Sequence, residues 1–182
     1  DDRSDFSSPS PVTDGKHVAF FFGNGELIVY DMSGKEIWRK NMIPPGEKYF
    51  AFQWTFSTSP ILFEGNLIMQ VLQRDVPFSY AGLPRGKQDA NSIPSYLVAF
   101  DLATGEQKWR AERPAKAVAE SLEAFTSPVV SPTADKGGKL QLLVAGGDAL
   151  SGHDPASGKE IWRWETWNPN KIGHWRLVPS PV

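Results

Sequence analysis

The chain contains no cysteine. Disulfide staples and thiolate metal sites are therefore excluded, while the redox compartment stays open. Long apolar runs are missing as well. The longest is Val18 to Phe22, far short of the roughly 20 residues that a membrane-spanning helix needs. Charge of either sign is modest. Lys and Arg number 19, Asp and Glu 21, and the formal net charge is −2, so the totals carry no basic nucleic-acid footprint. A secretory signal is not visible either, because Asp1 to Phe6 is polar and has neither a basic region nor an apolar core. No Met begins the chain, and Val178 to Val182 ends it without a polar tail. Both ends are expected to be cuts within a longer chain.

What is present is punctuation and indole. There are 16 Gly, 15 Pro and 7 Trp in 182 residues. Such a composition, with few helical runs, predicts many short strands and many turns.

One pattern occurs three times. Leu27 to Arg39, Leu97 to Arg110 and Ser151 to Arg163 each carry an Asp, a Gly three or four residues later, a Trp four after the Gly, and then Arg. The pattern reads as a hairpin. The Asp side chain can bond the turn backbone, and the Gly supplies a positive φ. The returning strand alternates, with Glu36 out, Ile37 in, Trp38 on the opposite face and Arg39 out or stacked. Asp31, Gly34 and Trp38, then Asp101, Gly105 and Trp109, then Asp154, Gly158 and Trp162 are the expected structural docking set. Their indoles would stack between neighbouring units.

A second mark precedes each hairpin. Ser10-Pro11-Val12, Ser59-Pro60-Ile61, Ser127-Pro128-Val129 and Ser180-Pro181-Val182 are spaced by 49, 68 and 53 residues. A further apolar stretch lies between mark and hairpin: Val18 to Phe22, Leu67 to Val71, Leu140 to Val144. Each unit then has four antiparallel strands in about 50 residues, which is a propeller blade. The fold class is all-β: a partial β-propeller in residues 1–182. Its blades are placed at about 8–40, 58–111 and 126–165, with the first strand of a fourth at 178–182. Three blades cannot close a ring, so the remaining blades would come from a longer chain or from another copy. Ala115 to Ala124 reads as an inter-blade crossing, with a short helix as the alternative.

Ala99-Phe100-Asp101-Leu102-Ala103-Thr104-Gly105-Glu106-Gln107-Lys108-Trp109 resembles the tryptophan-docking motif of quinoprotein propellers. Blade three departs from that motif at Gly152 and Ser157, and blade one is a residue short between Asp31 and Gly34. The whole chain resembles the PQQ-binding-like (quinoprotein-like) β-propeller repeat family and is similar to the propeller lipoproteins of the outer-membrane barrel-assembly machinery. In that family the motif docks blades and does not hold the quinone. The resemblance implies a periplasmic, cell-surface or secreted location. In the dehydrogenases of this resemblance a Trp floor, a disulfide ceiling, a calcium ion and a catalytic Asp serve PQQ. The ceiling is missing here, and no Asp matches the catalytic motif.

Alignment on the Ser-Pro marks brings Gln53, Trp54, Thr55, Glu120, Glu123, His174, Trp175 and Arg176 toward one channel face. Carboxylates, an imidazole, a guanidinium and indoles suit a polar ligand with a flat or charged part. In the plainer alternative, Glu123 and Arg176 pair between blades and the Trp residues pack. Glu120 and Glu123 as a hydrolytic pair are disfavoured, because a spacing of three puts them on opposite faces of a strand. Asp148 and His153 are a weak metal pairing, and Gly23-Asn24-Gly25 is a hairpin turn.

Blade two carries an insertion between Gln73 and Ser95. A loop of this length is functional or disordered, and Phe78, Tyr80, Leu83 and Arg85 are its candidate partner contacts. The expected function is a non-catalytic scaffold holding a protein partner or a small polar ligand. No catalytic residue, metal or cofactor is assigned, and neither nucleic acid nor a transmembrane segment is expected. The alternative is a fragment of a PQQ-dependent oxidoreductase, with PQQ and calcium.

Overall fold

The computed structural model describes residues 6–43, 47–132 and 138–181. It contains three four-stranded antiparallel sheets and one separate hairpin. Sheet one holds β1 (Val12–Thr13), β2 (His17–Phe21), β3 (Glu26–Asp31) and β4 (Glu36–Asn41) in chain order. In sheet two, β5 (Ile61–Phe63) and β6 (Asn66–Val71) are followed by β9 (Tyr96–Asp101) and β10 (Gln107–Glu112). The insertion supplies β7 (Phe78–Tyr80) and β8 (Leu83–Arg85), paired only with each other. Sheet three holds β11 (Val129–Pro132), β12 (Leu140–Gly146), β13 (Ala149–His153) and β14 (Glu160–Trp164). The crossing at 115–124 is extended apart from one 3-10 turn, Ala119–Leu122. The molecule is thus a partial β-propeller of four-stranded blades.

The middle sheet explains the composition. Along β6, Leu67, Met69 and Val71 pack toward sheet one, whereas Ile68, and Leu72 just past the strand, pack toward sheet three. Residues of alternating direction are all buried, so the strand reads as one apolar run rather than as an alternation. Phe50, Phe52 and Phe56 of the first crossing fill the gap between sheets one and two, joined by ring contacts of 5.2 to 6.4 Å.

The three turns share one geometry. Asp31 Oδ1 accepts from the Ser33 and Lys35 amides, Asp101 Oδ1 from those of Ala103 and Thr104, and Asp154 Oδ1 from that of Ala156. Gly34, Gly105 and Gly158 have φ of 85°, 73° and 72°. After each turn the ladder slips by one residue: Tyr30 pairs with Glu36 but Val29 with Trp38, and the same slip precedes Trp109 and Trp162. The extra residues are Ile37, Lys108 and Ile161. A bulge breaks strict alternation, so Ile37, expected inside, is 39% exposed and Ile161 56%. The indole after each bulge is aimed across the sheet face. Trp38 donates from Nε1 to the Leu102 carbonyl at 2.8 Å, and a methyl on Gly105 would lie 2.8 Å from its ring. A methyl on Gly158 would lie 2.6 Å from Trp109. Trp162 stays 37% exposed and donates within its own sheet to Gln141.

In the other three units a strand begins two residues after the Ser of the mark. By that register the expected fourth-blade strand begins at Val182, which lies outside the described residues. Within 178–181 no strand forms, but Leu177 makes a parallel bridge to Ala124.

Candidate functional site

The expected channel-face residues come from three segments: 53–55 before β5, 120–123 before β11, and 174–176. The group that organises them is Arg74, three residues past β6. Its Nε donates to Glu123 Oε1 at 2.6 Å, and its Nη2 donates to Gln53 Oε1 at 2.7 Å. Glu120 Oε1 stands 3.9 Å from the same guanidinium. The Gln53 amide donates to Glu123 Oε2 at 3.0 Å. Arg176 then donates to Glu120, not to Glu123 as the plainer reading had it. Glu120 and Glu123 meet one cation although three residues apart, because Glu120 sits in the 3-10 turn and Glu123 caps it. The opposite-face argument for a strand does not apply there.

Glu123 is completely buried. Desolvation pushes its carboxyl above the ordinary range, and the hydrogen bonds from Arg74 and the Gln53 amide only partly offset this. Trp54 lies between Tyr80, edge-on at 5.2 Å, and the Arg176 guanidinium at 5.8 Å. Its buried indole N–H meets no acceptor among the described residues. Thr55 places its methyl against Gly23. Trp175 anchors through its backbone amide to Ser121 Oγ at 2.8 Å and leaves its ring 48% exposed, and His174 is also exposed.

The insertion is not a free loop. Positive φ at Ala81 (50°) and Gly82 (75°) closes the β7–β8 hairpin. Phe78 lies beneath the Arg74 guanidinium at 4.0 Å, and Tyr80 packs on Trp54. Arg85 is buried, stacked on Tyr49 at 4.5 Å. Of the four loop residues singled out, Leu83 alone is a large exposed apolar group, at 37%. Sequence reasoning missed Arg74. The available signal was an arginine two residues after the run from Leu67 to Leu72, where the chain leaves a fully buried strand.

A second polar knot joins sheets two and three. Arg113, 1% exposed, donates to Ser151 Oγ and to the carbonyls of Gly146, Val144 and Ala149. Desolvation lowers its pKa to about 9. His153 Nδ1 lies 2.9 Å from the Gly158 carbonyl, which can only accept, so Nδ1 carries the proton and Nε2 accepts from Ser151. Asp148 is held by Asn168 Nδ2 at 2.8 Å, away from His153. Among the described residues no three His, Asp or Glu side chains gather as a metal site.

These residues do not fit PQQ with calcium. Glu123 and Glu120 each bond a guanidinium group, and Trp54 is already in edge contact with Tyr80 and near Arg176. No step through such a group follows from this chain.

No curated protein matches the sequence. Solved structures do. A europium-containing methanol dehydrogenase is similar at 12% identity and a TM-score of 0.53, with 86% of this chain and 31% of that chain covered. The exotype rhamnogalacturonan lyase YesX gives 16% and 0.54, covering 94% and 34%. BamB from Moraxella catarrhalis gives 14% and 0.48, covering 86% and 37%. This chain therefore spans about a third of the length of these proteins, and at such identities the likeness concerns fold alone. Residues 3–175 match the family described as outer membrane protein assembly factor BamB, and the chain belongs to that family of PQQ-like propellers.

Proposed function

We propose that this chain is part of a non-catalytic propeller scaffold that holds a protein partner outside the cytoplasm, in the assembly of outer membrane proteins. The observation that carries this reading is the charge pairing among the expected channel-face residues. Each carboxylate there has a guanidinium partner, Glu123 with Arg74 and Glu120 with Arg176. A carboxylate whose oxygens are already held by a guanidinium has little left to offer a calcium ion or a substrate proton. Rigidity, not proton transfer, is what such a cluster provides. The family description, outer membrane protein assembly factor, supports the same direction.

Trp38 and Trp109 act in this reading as blade-to-blade docks, each seated on the turn of the following blade, and Trp162 is the corresponding dock for a blade after the third. The partner-binding surface is the rim around the cluster: the hairpin tip at Leu83 and the exposed rings of Trp175 and His174. Aromatic and apolar side chains held on a rigid frame suit a protein contact. The small-polar-ligand variant draws on the same face and is less favoured, since the charged groups there already neutralise each other.

A photo-crosslinking residue at position 83, and separately at 175, in cells tests this. The expected result is one shared protein adduct from both positions and none from Met32, which is exposed on the first turn. Absence of adducts at both positions, or PQQ- and calcium-dependent dye reduction by the purified chain, would overturn the scaffold.

A further inference from the structure

We propose that the insertion creates a second, separate pocket, and that it takes a small monocyclic arene or branched alkyl group bearing one carboxylate. The cavity has a volume of about 160 Å³ and is lined by residues 86–94 of the insertion and by the first crossing, with none of the Arg74, Glu120, Glu123 and Arg176 side chains on its lining. Phe50, Tyr96 and Ile93 form its apolar floor, with Met42 beside them. An apolar cavity of roughly 150 Å³ is large enough for a benzene ring.

Its walls are fixed before any ligand arrives. Gln73, 5% exposed, accepts from the Ala51 amide at 2.9 Å and donates to the Pro94 carbonyl at 3.0 Å, so one side chain ties the crossing to the insertion. The Gly86 amide donates to the Tyr49 carbonyl. Gly86 has φ 71°, and a methyl there would lie 2.5 Å from Ile93 and 2.9 Å from Ala51. Close approach of these two segments is therefore built in, and a preorganised pocket costs little to occupy.

The mouth supplies the charge. Arg110 lies over the Tyr96 ring at 3.5 Å and has no carboxylate partner among the described residues. Lys87 also lines the cavity, at 3.6 Å from the largely exposed Asp89. Glu47 is the opposing carboxylate on the lining. Lys87 is engaged by Asp89, which leaves Arg110 as the unpaired cation on the lining, over an apolar floor. That combination selects an apolar body with an anionic end. The three methionines make the site readable: Met42 lines the cavity, Met69 is buried in the core, and Met32 is 64% exposed.

The test is a titration of the methyl-13C-methionine-labelled chain with phenylacetate, and in parallel with neutral benzyl alcohol. The expected result is a saturable shift of the Met42 methyl alone, with phenylacetate bound more tightly than benzyl alcohol. Arg110→Gln weakens phenylacetate about fivefold and leaves benzyl alcohol unchanged, the size expected of one partly exposed charge contact. Ala90→Phe, which fills the cavity, abolishes the shift while Met69 keeps its wild-type position and so reports an intact core. A Met42 resonance that never moves, a shift shared by Met32 and Met69, or equal binding of the two probes would each overturn the proposal. The Arg74 cluster is not involved, so these outcomes are independent of the crosslinking result.

Discussion

The backbone amide of Ser59 donates to the hydroxyl of Ser127 at 3.0 Å. The same contact runs from Ser10 to Ser59 at 2.9 Å and from Ser127 to Ser180 at 2.8 Å. Four residues separated by 49, 68 and 53 positions thus form one chain of donors and acceptors where the first strands of the units begin. Each Ser precedes a proline, which has no N–H of its own to give. The mark is a junction where one unit begins and touches the next.

Removing one link should be measurable. Ser127→Ala leaves the Ser59 amide without its acceptor and should cost about 1 kcal/mol. Urea unfolding reads the loss. Amide exchange at Ser59 should accelerate more than exchange in β6.

Arg74 and Arg176 should differ sharply. Arg74→Met leaves Glu123 buried and unpaired, at an expected cost of about 3–5 kcal/mol. Arg176→Ala breaks a pair at a side chain that is 35% exposed, so about 1 kcal/mol or less is expected. Only the first should also loosen the hairpin, seen as faster amide exchange over Phe78–Tyr80.

The pH dependence follows from two buried groups with opposite signs. Glu123 has its pKa raised above the ordinary 4.5, so the folded state holds the proton more tightly than the unfolded chain. Its contribution is complete below about pH 4.5 and is lost as pH rises through the raised value. Glu123→Gln should remove that downward slope in stability measured against pH.

His153 has its pKa lowered from 6.5 by burial, so the unfolded chain binds the proton more readily. Its contribution is present above about pH 6.5 and is lost as pH falls through the lowered value. His153→Asn should flatten the acid limb of the same curve. A histidine NMR titration should report a midpoint below 6.5.

Much of this architecture was legible in the residues. Asp31, Gly34 and Trp38, with their two copies, mark the turns because each residue type has a distinct backbone task. The Ser-Pro marks fix the unit boundaries for the same reason. What escaped is tertiary. The bulges that expose Ile37 and Ile161 leave no local signal, because one extra residue in a strand changes no composition. Arg74 and Arg113 are single cations whose acceptors lie 21 to 49 and 31 to 38 residues away. The order of the β7–β8 hairpin depends on the ring of Trp54 against Tyr80 and on an Arg74 held in place by Gln53 and Glu123, partners that no reading of 74–94 alone contains.

The central claim is that the indole of one sheet is seated on the turn of the next. Comparing Gly105→Ala with Gly34→Ala by urea unfolding tests it most directly. Both glycines have positive φ, 73° and 85°, but a methyl on Gly34 meets nothing within 4 Å, whereas one on Gly105 meets Trp38 at 2.8 Å. Backbone strain should cost each variant about 1–2 kcal/mol, and overpacking against the indole should cost Gly105→Ala roughly 2 kcal/mol more. Equal losses in the two variants would contradict the account.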